Sequence, residues 1–237
     1  MQPAKTILNF AAIALSKPQV AYTILKTRQK KLTYLGISAL IDLSQAILRA
    51  EKQGTPGILI EAGCALGGSA IVMAAAKSKA REFRVYDTFK MIPPPSTNDG
   101  TDAHQRYEEI AAGKSAGIHG TTYYGYEEDL VDKVTSAFTT CGYPLKVNQT
   151  RLLQGLFQDT LTIDVPVALA HLDCDWYESV MTCLKRIAPQ LSLGGVLVVD
   201  DYFHWSGCKK AVDEFFSDKQ DTFKFVHKSR LHIIRVK

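Results

Sequence analysis

Four carboxylates follow two apolar runs in the second half of the chain. Asp173 and Asp175 end the first run, and Asp200 and Asp201 end the second. Each run has the composition of a buried strand. If the two strands are parallel neighbours, these side chains meet at one edge of the sheet, where clustered carboxylates require a cation or a shared proton. The spacing therefore predicts a divalent metal site.

A glycine-rich segment, Glu61 to Ser69, lies between a short β-branched run and a helix of small residues. Gly63 permits a tight turn, and Gly67 and Gly68 would let the helix N-terminus approach a bound group. The spacing differs from dinucleotide and phosphate-loop motifs. Glu61 instead suits a cationic ligand such as S-adenosylmethionine, which carries an ammonium and a sulfonium. A purely structural turn would need the same glycines.

Two further segments could contact the ribose and the adenine of S-adenosylmethionine. Asp87 follows the second predicted strand, where nucleoside-binding α/β folds place an acid on ribose hydroxyls. Gln154, Gly155 and Phe157 follow the third strand and are candidates for the adenine site. Asp87 is also compatible with a turn or helix cap, and Phe157 with the core.

Other functions remain open on these residues alone. Asp173 and Asp175 are also spaced like the metal-binding pair of a nucleotide-sugar glycosyltransferase, although that leaves Glu61 and the second acid pair unexplained. A non-catalytic cofactor-binding protein is a further alternative. His204 and Trp205 are weaker candidates for contact with an acceptor.

The elements that must position these residues alternate between strand and helix. Strands are predicted at residues 58–60, 83–86, 150–154, 165–172 and 194–199, with two closing strands at 223–226 and 231–236. Helices are predicted at 69–79, 126–140 and 177–190. The pattern predicts a doubly wound, mostly parallel seven-stranded sheet with ligands beyond the strand C-termini.

The chain divides into an N-terminal helical extension, residues 1–56, and a main domain, residues 57–237. Residues 90–125 include a proline-rich, polar stretch and are predicted to form a lid insertion. The apolar run Ile7 to Leu15 is too short to span a bilayer, so it is predicted to be an amphipathic helix that packs on the domain. The basic run 26–31 suits a membrane surface or an acidic partner, or a plain solvated helix face.

Composition narrows the function classes. The 237 residues are 46% hydrophobic, which is enough to form a core. They carry 28 basic and 24 acidic side chains, and this small excess of positive charge does not indicate nucleic-acid binding. The five cysteines lack metal spacing and are predicted to be reduced thiols in a cytoplasmic protein. We expect no nucleic-acid partner and no stable membrane insertion, and a homodimer is possible.

As a set, six segments resemble the macrocin O-methyltransferase (TylF-like) family over roughly residues 57–216. They are Glu61 to Ser69, Tyr86 to Phe89, Gln154 to Thr160, Leu172 to Ser179, Val199 to Tyr202 and Cys208 to Glu214. The paired aspartates are specific, whereas the glycine loop alone is not. Cys174 and Trp176 depart from the family pattern, and the N-terminal region and the insertion have no alignable match.

The resemblance implies a Rossmann-like class I methyltransferase that uses S-adenosylmethionine and Mg²⁺, with Mn²⁺ possible, to methylate a hydroxyl of a sugar or polyol. It implies that Asp173, Asp200 and Asp201 bind the metal and that Asp175 is the general base. The cofactor residues are then expected to be Glu61, Gly63, Ser69, Asp87, Thr88, Gln154, Gly155 and Phe157. Three carboxylates leave octahedral positions for substrate oxygens, so a vicinal diol could chelate.

Overall fold

A seven-stranded sheet forms the centre of the molecule, whose computed structural model describes residues 3–237; the first two residues of the predicted extension lie outside this range. The strands are β1 (Ile58–Ala62), β2 (Phe83–Asp87), β3 (Thr150–Gln154), β4 (Val167–Leu172), β5 (Leu191–Val199), β6 (Phe223–His227) and β7 (Leu231–Arg235). The helices are α1 (Pro3–Ser16), α2 (Pro18–Gln29), α3 (Ile37–Gln53), α4 (Gly68–Ala76), α5 (Thr101–Ala111), α6 (Leu130–Cys141), α7 (Phe157–Thr160), α8 (Tyr177–Ile187) and α9 (Ser206–Phe215).

The strand order is β3-β2-β1-β4-β5-β7-β6, and only β7 runs antiparallel to its neighbours. The order reverses between β1 and β4, which pair in parallel. At such a reversal the connections leave in opposite directions and open a crevice beyond the strand C-termini. The doubly wound, mostly parallel sheet predicted from the sequence is confirmed.

The apolar strand sequences follow from burial on both faces. All six residues of β4 are buried, and so are all five of β1. Helices α1 to α4 and α6 cover one face, and α7 to α9 cover the other. Because both faces are buried, the strands read as continuous apolar runs rather than as an alternating pattern.

The predicted elements correspond to those observed, with three exceptions. The four-residue helix α7 was not predicted. The region 90–125 was expected to be irregular, but it contains α5, an eleven-residue helix. Helix α9 was also not predicted. The hydrophobic pattern of α5 is weak, because only Ala103 and Ile110 of this helix are buried and most of its surface is polar.

The N-terminal extension is joined to the glycine-rich segment by a close backbone contact. The Gly68 amide donates to the Leu32 carbonyl across 2.9 Å. A Cβ atom at Gly68 would lie 2.4 Å from that oxygen. Gly68 was expected to make room for a ligand, and the structure gives a different reason: it makes room for the chain between α2 and α3.

The sequence predicted reduced thiols and no stable membrane insertion. All five cysteines are free and buried, as predicted. No helix within residues 3–237 combines the length and the hydropathy needed to cross a bilayer.

Replacing Gly68 by alanine should destabilise the protein. The added methyl group meets backbone atoms that cannot move independently, so we expect the free energy of unfolding to fall by about 1–3 kcal/mol. Urea unfolding followed by circular dichroism measures this. Gly36→Ala is the matched control, because a Cβ atom there meets nothing within 4 Å. Equal stability of both variants would contradict the proposed contact.

His232 should make a destabilising contribution on mild acidification. This side chain on β7 is 2% exposed, and burial, with Lys228 and more weakly His171 and Arg49, lowers its pKa to about 4 against the opposing charge of Asp42. The unfolded chain therefore binds a proton between about pH 6.5 and pH 4 that the folded chain does not. His232 should cost about 2 kcal/mol of stability between pH 7 and pH 5.

Urea unfolding of wild type and His232→Leu at the two pH values isolates this contribution. Between pH 7 and pH 5 the free energy of unfolding should change less unfavourably in the variant by that amount, because leucine does not titrate. An identical pH dependence in both proteins would contradict it.

Candidate active site

The predicted carboxylates meet where β4 and β5 end. Backbone hydrogen bonds continue past the strands: the Asp173 amide donates to Ala62 O and the Asp200 amide to Leu172 O, each across 2.9 Å. These bonds hold the two segments in register beyond the sheet. One carboxylate oxygen from each of Asp173, Asp200 and Asp201 lies within 4.8 Å of the other two.

This donor set fits a magnesium or manganese ion. Three carboxylates are hard oxygen ligands, and opposite ligands of an octahedral magnesium lie roughly 4 Å apart, so small side-chain movements would complete the geometry. Oδ1 of Asp200 is already engaged, because it accepts from Arg230 Nε at 2.6 Å. The other oxygen, Oδ2, accepts no hydrogen bond within residues 3–237 and is available as a ligand.

Two cations contact these carboxylates, the partly exposed Arg230 and the fully buried His171, and neither was predicted. Arg230 reaches Asp200 from the turn between β6 and β7. His171 is fully buried on β4: Nδ1 lies 2.9 Å from Glu61 Oε1, and Nε2 lies 3.7 Å from Asp200 Oδ1, which is an ion-pair distance but too long for a hydrogen bond. A chain of alternating charge thus runs from Glu61 through His171 and Asp200 to Arg230.

The pKa values reflect this crowding of charge. Burial, followed by the charge of neighbouring carboxylates, holds the pKa values of Asp173 and Asp201 well above their usual range. Burial opposes protonation of His171, but Asp200 and Glu61 outweigh it and raise its pKa to about 10. Burial also acts against ionisation of Asp200, but His171 and Arg230 outweigh it and lower its pKa. The site is therefore an anionic centre only partly neutralised by the protein.

Asp175 lies beside this centre in an unusual backbone conformation. Its φ is +56°, a left-handed value that is uncommon for a residue with a side chain. Its amide donates to Asp201 Oδ2 at 3.3 Å. Burial raises the pKa of its carboxyl to about 6, while Trp205 acts in the opposite direction through a hydrogen bond. Asp175 is thus positioned by Asp201 and is more basic than an exposed aspartate.

Asp87 shapes the glycine-rich loop. Its Oδ2 accepts from the backbone amides of Cys64 (2.7 Å) and Ala65 (3.1 Å), and its Oδ1 accepts from the Phe89 amide (2.7 Å). The sequence suggested either a contact with ribose hydroxyls or a turn or helix cap. In the structure Asp87 holds the loop after β1, and its Oδ1 also lies 3.4 Å from the Thr88 hydroxyl, with which a ribose hydroxyl would compete.

The other predicted cofactor residues fall into two groups. Gly63, Thr88 and Phe157 line the cleft described below. The remaining four lie outside its lining: Glu61, Ser69, Gln154 and Gly155. Glu61 is fully buried and its partner in the structure is His171, so its contact with an ammonium stays a prediction. Ser69 is buried within α4, and the exposed Gln154 amide donates to Thr88 O.

The cleft has two continuous parts. The glycine-loop cavity contains Thr88, Phe157 and Gln158, and the carboxylate cavity contains Asp200 and Asp201. Six lining residues belong to both: Gly63, Asp87, Ile92, Tyr124, Asp173 and Asp175. A ligand in the first cavity therefore lies directly against one in the second.

Two groups of aromatic side chains line the carboxylate cavity. Trp176 and Trp205 stack edge to face with centroids 5.4 Å apart. Tyr34, Tyr123 and Tyr124 form the second group. Of these, only Trp205 was a sequence candidate. His204, suggested with it, is exposed and does not line the cavity.

Several residues of the 90–125 region line the cleft, and hydrogen bonds hold the region to the rest of the fold at several points. Asp99 accepts from the Tyr177 amide at 2.7 Å, at the start of α8, and Asp102 accepts from the Ser206 amide at 2.9 Å, at the start of α9. The Trp176 indole donates to Pro93 O at 2.9 Å. Arg106 on α5 lines the carboxylate cavity as its second cation besides Arg230.

Comparison with known proteins assigns this architecture to a family. The model of the macrocin-O-methyltransferase (TylF) family matches residues 17–227. The chain belongs to this family.

Individual TylF-type relatives support the same assignment. The chain is 31% identical over 190 residues to the demethyldecarbamoylnovobiocin O-methyltransferase of Streptomyces niveus, covering 77% of this chain and 67% of that one. It is 29% identical over 194 residues to the mycinamicin III 3''-O-methyltransferase of Micromonospora griseorubida, covering 77% and 69%. The solved O-methyltransferase NovP superposes with a TM-score of 0.73 at 25% identity, covering 87% and 83%. This TylF-family chain thus has the class I methyltransferase fold.

Replacing Asp87 by asparagine should destabilise this TylF-family protein even without a cofactor. Asparagine has one acceptor oxygen in place of two, so at least one buried loop amide loses its partner. We expect a loss of about 1–3 kcal/mol in urea unfolding. Asp164→Asn is the control, because that side chain is 81% exposed. Unchanged stability of Asp87→Asn would mean that the loop does not depend on the carboxylate.

Proposed function

We propose that the chain transfers a methyl group from S-adenosylmethionine to a hydroxyl of a sugar or similar polyol in a small molecule, assisted by a divalent metal. One observation carries the proposal. Three carboxylates with oxygens within 4.8 Å of one another, and a fourth carboxyl, Asp175, share a cleft with the glycine-rich loop. This arrangement supports a metal site and a base beside a cleft that would hold the cofactor.

The names of the relatives support the type of acceptor. One is a mycinamicin III 3''-O-methyltransferase, and another, from Streptomyces olivaceus, methylates the 4'-oxygen of a rhamnosyl-tetracenomycin. The latter is 31% identical over 190 residues and covers 77% of this chain and 67% of that one. Both names describe oxygen methylation of an elaborate small molecule, and the second specifies a sugar.

Asp173, Asp200 and Asp201 would hold the ion, with Mg²⁺ or Mn²⁺ suited to their oxygen ligands. A divalent ion supplies Lewis-acid polarisation of a hydroxyl and orients it. Arg230 and His171 keep Asp200 ionised and fix its orientation, which is the role of residues hydrogen-bonded or ion-paired to metal ligands in other sites.

Asp175 would accept the proton of the acceptor hydroxyl on a carboxylate oxygen. Its raised pKa, about 6, makes it a better base near neutral pH than an exposed aspartate with a pKa near 3.9. The backbone bond to Asp201 holds it beside the metal-binding residues. The hydroxyl would lose its proton to Asp175 as its oxygen attacks the sulfonium methyl group, the S–CH3 bond breaks and S-adenosylhomocysteine leaves, all within one small volume.

The shape of the cleft suits a sugar in the carboxylate cavity. Trp205, which is partly exposed, provides an apolar surface for a C–H face of a pyranose ring, and the buried Trp176 packs against it edge to face. Tyr123 and Tyr124 line the same cavity. Together with Ile92 they limit water near the carboxylates. On the other side, Gly63, Thr88 and Phe157 would contact the cofactor, with Asp87 holding the loop in shape.

Two asparagine substitutions separate the roles of the aspartates. Asp173→Asn should lose most Mn²⁺ affinity, measured by isothermal titration, because one of three anionic ligands is removed. Asp175→Asn should keep Mn²⁺ and S-adenosylhomocysteine affinity but lose methyl transfer by about 10²-fold or more, because the general base is removed. Asp129→Asn, on an exposed loop position, is the control and should change neither.

Binding and methyl-transfer measurements also distinguish a methyltransferase from a glycosyltransferase. Methyl transfer is followed with tritiated S-adenosylmethionine on a panel of glycosylated acceptors. If Asp173→Asn binds Mn²⁺ like wild type, the metal assignment is wrong. If the protein binds a nucleotide sugar but no S-adenosylhomocysteine, it is a glycosyltransferase and the proposed function fails.

A further inference from the structure

The first helix exposes apolar side chains that the fold does not use. Ile7, Leu8 and Leu15 are 68%, 69% and 88% exposed. Leu8 and Leu15 lie seven residues apart on one side of α1, while Ile13 on another side is buried among the other helices. The sequence predicted an amphipathic helix packed on the domain. In the structure α1 packs through one face and presents a second apolar face to solvent.

The exposed apolar surface continues beyond α1. Tyr22 and Leu25, on neighbouring turns of α2, are 57% and 47% exposed. Within residues 3–237, five of the thirteen large exposed hydrophobic side chains lie on α1 and α2. Scattered surface hydrophobics need no explanation, but a concentration on adjoining helices indicates a contact surface.

The same segment carries an unbalanced positive charge. Residues 1–41 contain six basic residues and no acidic residue, and the first carboxylate of the chain is Asp42. The remaining residues carry 22 basic and 24 acidic side chains. The six basic residues are Lys5, Lys17, Lys26, Arg28, Lys30 and Lys31. Within residues 3–237, none of them has a carboxylate within 4.0 Å.

Four of these cations are free to act on a partner. Lys26 donates to Thr140 O and Arg28 to Leu35 O, so both partly serve the fold. The other four lysines are exposed, at both ends of α1 and after the end of α2. Apolar side chains on a short helix, flanked by exposed lysines, are the features of a helix that lies in the interface of an anionic membrane.

We propose that α1 and α2, with the lysines that flank them, form a docking surface for an anionic phospholipid membrane. The charge argues against a second copy of this chain as the occupant, because a symmetric contact would bring the four exposed lysines against four others with no carboxylate in residues 1–41. Anionic lipid supplies the missing negative charge and accepts the apolar side chains at the same time. The chain then binds the bilayer surface peripherally.

Vesicle sedimentation of the full chain tests this proposal. The protein is mixed with vesicles of phosphatidylcholine alone or of phosphatidylcholine and phosphatidylglycerol in equal amounts. Binding should be strong only to the anionic vesicles and should weaken as NaCl is raised, because surface charge is screened. Equal binding to both compositions, or binding to neither, overturns the proposal.

Two paired variants locate the surface. Leu8→Gln with Leu15→Gln should lower partitioning to anionic vesicles at least about tenfold, because apolar area is lost. Leu193→Gln with Val147→Gln is the control, since those side chains are 68% and 63% exposed elsewhere and should leave binding unchanged. Thermal unfolding confirms that both proteins are folded.

The charge is tested in the same way. Lys30→Gln with Lys31→Gln should also lower partitioning at least about tenfold, from roughly fivefold for each surface lysine. Lys79→Gln with Lys114→Gln, also exposed, should have no effect. If all variants bind like wild type, or if Leu8→Gln with Leu15→Gln instead turns a dimer into a monomer in size-exclusion light scattering, the surface is not a membrane site. Methyl transfer without vesicles is a separate measurement, so failure of the proposed function would be recognised independently.

Discussion

The repulsion among carboxylates at the ends of β4 and β5 is the constraint on which the rest of the site depends. Asp173, Asp200 and Asp201 place oxygens within 4.8 Å of one another in a largely buried position. Like charges at that separation are costly in a low dielectric. The fold partly compensates with Arg230 and the buried imidazole of His171. The compensation is incomplete, and the remaining negative charge is what makes the site suited to a divalent cation.

Much of this arrangement could be predicted from the sequence, because it depends on local patterns. Strands buried on both faces read as continuous apolar runs, and an aspartate at the end of such a run must lie at the sheet edge. The compensating cations could not be found in the same way. Arg230 reaches Asp200 only because β7 inserts between β5 and β6, a pairing of segments distant in sequence. His171 looked like one polar residue in an apolar strand, and only its register opposite Glu61 shows its role.

Asp87 and Glu61 show a different limit of prediction from the sequence. Sequence pattern placed both acids in the right region, after β2 and near the end of β1, but suggested ligand atoms as their partners. In the structure the partners are the glycine-loop amides and a buried histidine. A buried carboxylate must be satisfied by the nearest donors, and those are set by tertiary packing rather than by spacing. The same applies to Gly68, whose missing side chain admits the backbone of Leu32.

The chain therefore separates its tasks. Its C-terminal half supplies the charged centre, the 90–125 region supplies part of the lining of the cleft, and the N-terminal helices stabilise the glycine loop and present an apolar, basic outer face.

The central claim, that a single cation is held by three named carboxylates, is most directly tested by anomalous diffraction from crystals grown with Mn²⁺ and S-adenosylhomocysteine. The account predicts one manganese peak bonded to an oxygen each of Asp173, Asp200 and Asp201, with Asp175 outside the coordination sphere. A peak bonded to Asp175 in place of one of these residues, or no peak in the cleft, would contradict it.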